Sequence, residues 1–196
     1  MRYPDIGTAL DYQDPWQLLV ATVLSAQTTD ENVNRITPVL FARYPTSADL
    51  ASANPEEVEA IVFSAGFYRQ KTKSIIALSR DLEERFDGVM PRRLEELVTL
   101  HGVGRKTASV VLAEAFAVPA VAVDTHVRRV AGRLDLTANT DPVKIEVDLR
   151  ALFPRKDWAG LSMRFIQFGR DICEARRPKC PECELNHICQ WPYKRV

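Results

Sequence analysis

The sequence lacks the features that place a protein in a membrane or send it out of the cell. No run of apolar residues approaches the length of a membrane span, and no basic segment followed by an apolar one opens the chain. Cysteine is absent before residue 173. We therefore expect a soluble cytoplasmic protein without a membrane partner.

An excess of positive charge is also missing, because 26 basic residues balance 26 acidic ones. This removes the usual argument for nucleic-acid binding from a high isoelectric point. The distribution of charge is less even, since residues 81–100 are rich in Asp and Glu. In residues 101–133 the only acidic residues are Glu114 and Asp124. The same segment contains five basic residues, Arg105, Lys106, Arg128, Arg129 and Arg133. The sequence thus predicts a locally positive face.

Helix signals recur along the chain. A capping residue followed by proline opens an apolar run of helical spacing at Asp14-Pro15, Asn54-Pro55 and Asp141-Pro142. Two further helix starts are predicted, at Met90-Pro91 and at Asp157. We expect an all-α protein with one ordinary domain or two small ones.

Two glycines one residue apart, Gly102 and Gly104, separate two helical runs. Glycine lets the chain turn sharply and lets a ligand approach the backbone closely. The second run begins at Arg105, where unpaired N-H groups, the helix dipole and the guanidinium favour an anion. A nucleic-acid backbone supplies such an anion whatever its base sequence. This turn, with Val103 between its glycines, is a candidate phosphate site.

Lys106 follows on a helix that is apolar on two sides. Val111 and Leu112 lie on one side, and Val110 and Ala113 lie on the side of the lysine. We expect such a helix to be buried, and a buried lysine exposes a neutral, nucleophilic amine near neutral pH. From position alone, a surface lysine with a buried stem is the commoner case.

Asp124 follows the β-branched run 121–123 and precedes a helix that opens at Thr125. Its carboxylate can accept backbone N-H groups there and remain ionised. A capping role is commoner for such an aspartate than a catalytic one.

These features together resemble the helix-hairpin-helix DNA glycosylases and, within them, the endonuclease III family. The match consists of LHGVGRKTA at 100–108, with His101 where proline is commoner, and VDTH at 123–126. The resemblance implies a two-lobed all-α fold. Residues 8–118 would form a six-helix barrel lobe with the hairpin, and residues 119–196 with 1–7 would form an iron-sulfur cluster lobe.

The resemblance also implies a function. The protein would be a bifunctional DNA glycosylase and AP lyase, a nucleoid-associated monomer that binds double-stranded DNA with damaged pyrimidines or abasic sites. Lys106 would displace an oxidised pyrimidine and form a Schiff base, and Asp124 would assist. Gln27, in a Ser-Ala-Gln turn after the first helix, would enter the duplex where the damaged base has left it.

A degraded copy of the hairpin precedes the main one. Residues 66–76 resemble residues 102–111 with one residue added. Phe67 and Tyr68 lie at the tip of this copy. One of them either wedges into the base stack or closes the hairpin against the core of the protein.

The four cysteines follow the pattern C-x6-C-x2-C-x5-C. They are Cys173, Cys180, Cys183 and Cys189. In a chain expected to be cytoplasmic they indicate a metal site, and four thiolates suit either zinc or an iron-sulfur cube. The family resemblance favours a 4Fe-4S cluster. Arg176, Arg177 and Lys179 lie in the longest loop between cysteines, where they can reach phosphates.

Three other functions remain open from the sequence. The nearest is another glycosylase of the superfamily, such as one specific for mismatched thymine. The second is a non-catalytic or weakly active DNA-binding protein whose cluster senses redox state, although binding alone does not require Lys106 and Asp124 together. The third is a structural protein stabilised by zinc.

Overall fold

The computed structural model describes Tyr3, Pro4 and residues 6–194. Every regular element in that part of the chain is a helix, as the sequence predicts. The described residues form two compact units. We call residues 9–116 the central unit, and we call the residues up to 8 together with those from 117 onward the terminal unit. None of the helices described is long and apolar enough to cross a membrane.

The central unit is built around its first helix. Asp14 begins that helix by accepting the Gln17 N-H at 2.9 Å, and Pro15 occupies the first helical position. From Trp16 onward the helix is buried, so it forms the middle of the core. The helices of this unit are α1 (Pro15–Leu24), α2 (Asp30–Arg43), α3 (Ser47–Ala51), α4 (Pro55–Val62), α5 (Tyr68–Phe86), α6 (Leu94–Leu97) and α7 (Arg105–Phe116).

Helix α1 contacts α2, α5 and α7, the helix that follows the glycine hairpin. The indole N-H of Trp16 donates to Ser79 Oγ of α5 at 3.1 Å, so even the polar atom of this buried ring is satisfied. Asn54 caps α4 as predicted, accepting the Glu56 N-H at 2.9 Å. These contacts hold α5 and α7 against a common core.

One predicted helix start and one predicted capping bond are wrong. The helix expected at Met90-Pro91 begins only at Leu94 and has four residues, because residues 91–93 remain non-helical and no side chain caps the start. Asp157 does not cap the helix that follows it, since its backbone is already helical and its side chain makes no capping bond. A short 3-10 turn, Arg155–Asp157, leads into that helix instead.

The terminal unit contains α8 (Thr125–Arg133), α9 (Pro142–Leu152) and α10 (Trp158–Asp171). Helices α8 and α10 pack against each other. Their contact contains the fully buried Val127 and the 4 % exposed Leu161, and α9 adds Ile145. The apolar run before α8 is buried without pairing as a strand, because Ser162 Oγ of α10 accepts the Ala122 N-H at 2.8 Å.

Removal of a core side chain from α5 should destabilise the central unit. Leu78 is fully buried, so Leu78→Ala should lower the free energy of unfolding by about 2–5 kcal/mol. Val39 on α2 is 57 % exposed, so Val39→Ala is the matched control and should change it by less than about 0.5 kcal/mol. Urea unfolding followed by circular dichroism measures both. Equal effects would contradict the packing described here.

Candidate functional site

The glycine hairpin is fastened to α5 by a close backbone approach. Gly102 has φ +73°, and a Cβ placed on it would lie 3.0 Å from both Cβ and Oγ of Ser74. A side chain at this position is therefore excluded by conformation and by space. The His101 N-H donates to Asp81 Oδ2 at 2.7 Å, a bond that a proline here could not make. Both contacts fix the position of the hairpin along α5.

The tip of the hairpin has one buried anchor and an open surface. Val103 is only 5 % exposed, whereas Gly104 and Arg105 are exposed. A Cβ on Gly104 would meet no atom of the described residues within 4 Å, so the space next to this glycine is open. The first N-H groups of α7 have no partner inside the helix. This open surface is compatible with a phosphate group, and the phosphate site stays a prediction.

Lys106 lies in the first turn of α7, and its side chain is exposed. The expectation of a buried lysine is therefore wrong. Helix α7 is indeed buried along both predicted faces from Ala108 to Leu112, but its first turn stands at the surface with the hairpin. Within its own unit Lys106 forms no hydrogen bond or ion pair with a described residue. Its amine is thus accessible to a ligand.

Asp124 caps α8, the common role for an aspartate before a helix. Its Oδ1 accepts the Val127 N-H at 2.8 Å, and the residue is half-buried. No hydrogen bond joins its second carboxylate oxygen to another described residue. The capping bond fixes the orientation of the carboxylate and leaves that second oxygen available for chemistry.

His126, two residues after Asp124 on α8, is a titratable residue to which the sequence analysis assigned no role. Burial lowers the pKa of His126, and Arg129 and Arg170 lower it further, whereas Asp124 opposes them. His126 Nδ1 lies 3.1 Å from the Arg129 guanidinium. Burial and the two arginines therefore favour a neutral imidazole next to the cap.

Two arginines of α8 bind the backbone around the first cysteine. Arg129 donates to the carbonyls of Cys173 and Gly169 at 3.0 and 2.8 Å. Arg133 donates to the carbonyls of Glu174 and Ala175 at 2.7 and 2.9 Å. The predicted positive face is thus smaller than the charge count suggests, because both guanidinium groups bind the protein's own backbone.

Arg133 also reaches the cysteines themselves. Its guanidinium lies 3.4 Å from Cys173 Sγ and 3.9 Å from the centre of the Trp191 ring. A planar cation stacked on an aromatic ring is held in one orientation. The position of Arg133 in the sequence does not indicate this role, because the groups that it contacts lie about forty residues away in sequence.

The four predicted cysteines line one cavity of the terminal unit, together with Phe168 and Ile172. None of the four forms a disulfide, and all are half-buried. Burial raises the pKa of the Cys183 thiol, and the charges of the other three cysteines add to that effect. The donor set fits a thiolate-bound metal group, which would remove these protons on binding.

The two metal groups that the cysteine spacing allows require different arrangements of the donors. Among the described residues no group of three or more His, Cys, Asp or Glu side chains converges as one ion requires. Zinc holds four donors at about 2.3 Å from one centre, whereas a cube spreads its irons so that each takes one thiolate. The cavity supplies four thiols, which are donors that both kinds of metal group use.

The predicted DNA-contacting residues of the central unit lie on exposed turns. Gln27 is exposed with φ +57°, and Phe67 is 69 % exposed with φ +46°. Both adopt a left-handed backbone that is uncommon for residues other than glycine. Tyr68 is half-buried, and its ring centre lies 4.9 Å from that of Phe63. Of the two aromatics at the tip, Phe67 is the one free to enter a duplex.

The basic residues between the cysteines differ in their surroundings. Arg176 and Arg177 are exposed, which leaves them free to reach phosphates. Lys179 is exposed as well, but its Nζ lies 3.6 Å from Glu174 Oε1. An ion pair at the surface is weak and can exchange for a phosphate contact.

The chain is similar to known DNA repair proteins over most of its length. Residues 20–155 match the model of the HhH-GPD superfamily base excision DNA repair protein family. The chain is 54 % identical to endonuclease III of Synechocystis sp. over 95 % of its own length and 86 % of that protein. It is 44 % identical to endonuclease III of Bacillus subtilis over 98 % and 89 % of the two chains.

Solved structures agree with these matches. The structure of a trapped covalent intermediate of endonuclease III with DNA superposes with a TM-score of 0.92, at 43 % identity over 96 % of this chain and 89 % of that one. A thermostable thymine-DNA glycosylase shares the fold, with a TM-score of 0.86 at 24 % identity over 95 % and 88 %. The chain belongs to the HhH-GPD superfamily of base excision DNA repair proteins and, within it, to the endonuclease III family.

Proposed function

We propose that the chain removes oxidised pyrimidines from double-stranded DNA and then cuts the strand, with Lys106 as the nucleophile. As an endonuclease III family member, it is a base excision DNA glycosylase and AP lyase. The observation that carries the lysine assignment is the exposed first turn of α7, where Lys106 directly follows the open glycine hairpin. The related protein trapped as a covalent DNA intermediate supports it.

The reaction starts with a damaged nucleotide rotated out of the duplex, at a smaller cost than for an intact pair. The Lys106 amine attacks the sugar C1' as its bond to the base breaks, and the departing base takes up a proton. Opening of the sugar ring leaves an imine between Lys106 and C1'. Loss of a proton from C2' then expels the 3' phosphate, and water finally releases the lysine.

Asp124 supports the first of these steps. Its uncommitted oxygen accepts the proton that the lysine loses, and its negative charge stabilises the positive charge that develops on the sugar. The α8 cap keeps this carboxylate in one orientation throughout. The cap and the chemistry are compatible because they use different oxygens.

The remaining site residues hold the DNA. The hairpin from Gly102 to Arg105 binds a phosphate, Gln27 fills the space left in the duplex, and Phe67 wedges into the base stack. Arg176, Arg177 and Lys179 contact a second stretch of backbone. All these groups come from one chain, so we propose that the protein acts as a monomer.

The four cysteines hold a 4Fe-4S cluster, which supplies structure and is not used in base removal. The central unit is then the family's barrel lobe, and the terminal unit is its cluster lobe. Arg129 and Arg133 fasten the cysteine segment to α8, so the bound cluster would stabilise the exposed loop that carries Arg176 and Arg177.

Lys106→Gln should abolish base removal and strand cutting but preserve DNA binding, because the amide cannot form an imine. Borohydride reduction during turnover should trap the wild type on DNA and not this variant. Lys144→Gln on α9 removes another exposed lysine and should trap like the wild type. If Lys106→Gln retained lyase activity, the assignment of the nucleophile would be wrong.

Asp124→Asn should separate catalysis from capping. Asparagine caps helices about as well as aspartate, so the free energy of unfolding should change by less than about 0.5 kcal/mol. Loss of the proton acceptor should lower kcat by about 10²–10⁴-fold. Asp124→Ala removes the cap too and should cost about 0.5–2 kcal/mol of stability. A variant Asp124→Asn that unfolds, or that keeps full kcat, would leave only the capping role.

The cluster predicts a brown protein with visible absorbance and about four iron atoms per chain. Cys183→Ser should lose the colour and make the segment after Cys173 sensitive to protease. His187, which is exposed in the same loop, provides the control, since His187→Ala should stay brown. A colourless wild type that contains zinc would refute the cluster.

A further inference from the structure

Lys71, in the first turns of α5, is a buried lysine without an acidic partner. It is 5 % exposed, and burial lowers its pKa. Its Nζ donates to the carbonyl oxygens of Leu24 and Ala65 at 2.8 and 2.7 Å, and no described carboxylate pairs with it. An ammonium taken out of water with only two carbonyls to replace its hydration lowers stability. The arrangement therefore points to a purpose other than stability.

Both carbonyls end helical segments, where the last carbonyls lack partners and the helix dipole favours a cation. Leu24 is the last residue of α1, and Ala65 ends the 3-10 turn Phe63–Ala65. Gln27 follows the first segment and Phe67 follows the second. The ammonium of Lys71 thus connects the two turns that carry Gln27 and Phe67. Both of these residues are exposed and have a left-handed backbone.

A second side chain ties the same two turns together. Asn32 Nδ2 donates to Thr28 Oγ1 at 3.1 Å and to the Ser64 carbonyl at 2.9 Å. Thr28 directly follows Gln27, and Ser64 lies shortly before Phe67. The two turns are therefore bridged twice, in the interior by Lys71 and near the surface by Asn32.

We propose that Lys71 is a positioning residue for base extrusion, whose ammonium fixes the spacing between the Gln27 turn and the Phe67 turn so that both side chains enter the duplex together. The inference rests on the proposed function, in which these residues act at the flipped nucleotide. Lys71 is not itself a nucleophile, because its amine is buried and directed at two carbonyls. It acts only through the two turns.

The test uses Lys71→Met, which keeps the length and apolar stem of the side chain and removes its donors. Excision of an oxidised pyrimidine from duplex DNA should fall by about tenfold or more, since small misplacements of DNA-contacting groups are costly. Borohydride trapping on single-stranded abasic DNA should not change, because that substrate has no base to extrude and no opposite strand to invade.

A direct readout of extrusion comes from 2-aminopurine placed next to the lesion. In the Lys106→Gln background, which binds DNA without reacting, the duplex should become more fluorescent as the nucleotide leaves the stack. Adding Lys71→Met should reduce that rise. A merely structural role for Lys71 would lower stability and both activities alike, and it would overturn the proposal. So would unchanged excision.

Thr72→Val is the matched control. Thr72 is the next residue of α5, fully buried, and its hydroxyl has no hydrogen-bond partner in the described part of the chain. The substitution removes a buried polar atom but no bond, so excision and fluorescence should match the wild type. An effect as large as that of Lys71→Met would also contradict the proposal.

Should Lys71→Met fail to fold, Lys71→Gln takes its place under the same criteria. Its amide keeps two N-H donors without the charge, but it is shorter and cannot reach both carbonyls as the lysine does. The proposed function has a separate point of failure. A wild type that is not trapped on abasic DNA would refute the nucleophile, whereas the fluorescence comparison would still decide the role of Lys71.

Discussion

One face of α5 supports every turn that the proposed mechanism places on DNA within the central unit. Lys71 joins the ends of two helical segments, Ser74 lies against Gly102, and Asp81 accepts the N-H of His101. These three α5 positions are spaced so that they share one side of the helix. Residues that must enter a duplex have few contacts of their own in the free protein. The positions of these residues therefore depend on the contacts that their turns make with α5, and this holds for both hairpins.

The sequence predicts the parts of this arrangement that depend on neighbours along the chain. Caps such as Asp14 and Asn54, the glycine hairpin and the cysteine spacing are all local patterns, and the family follows from them. Whether a side chain is buried depends instead on residues that are distant in the sequence. Lys71 and Lys106 occupy matching positions in the two hairpin copies, yet the first is buried and the second exposed. Only the folded chain brings the carbonyls of Leu24 and Ala65 over one lysine and leaves the other open.

The number of basic residues in a segment is also a poor guide to its surface charge, because the partners of those residues are distant in the sequence. The segment 101–133 is basic in sequence, but Arg129 and Arg133 donate to carbonyls around Cys173. Their charges stabilise a loop and contribute less to attraction of DNA. Arg128 is exposed, as are Arg176 and Arg177 in the loop that the other two arginines hold. A neutral chain can thus bind phosphates, because a few well-placed cations suffice once their loop is fixed.

If Lys106 is the nucleophile, as we propose, its exposure resolves a conflict between reactivity and access. A lysine buried like Lys71 gives up its hydration, but a sugar cannot reach it. An exposed lysine is accessible, and it loses water only when a duplex covers it. Activation then coincides with the presence of a nucleotide outside the stack, which favours reaction at a flipped site over reaction along intact DNA. The cap of α8 uses one carboxylate oxygen of Asp124, so the proton-accepting role that we propose for this residue falls to the other oxygen.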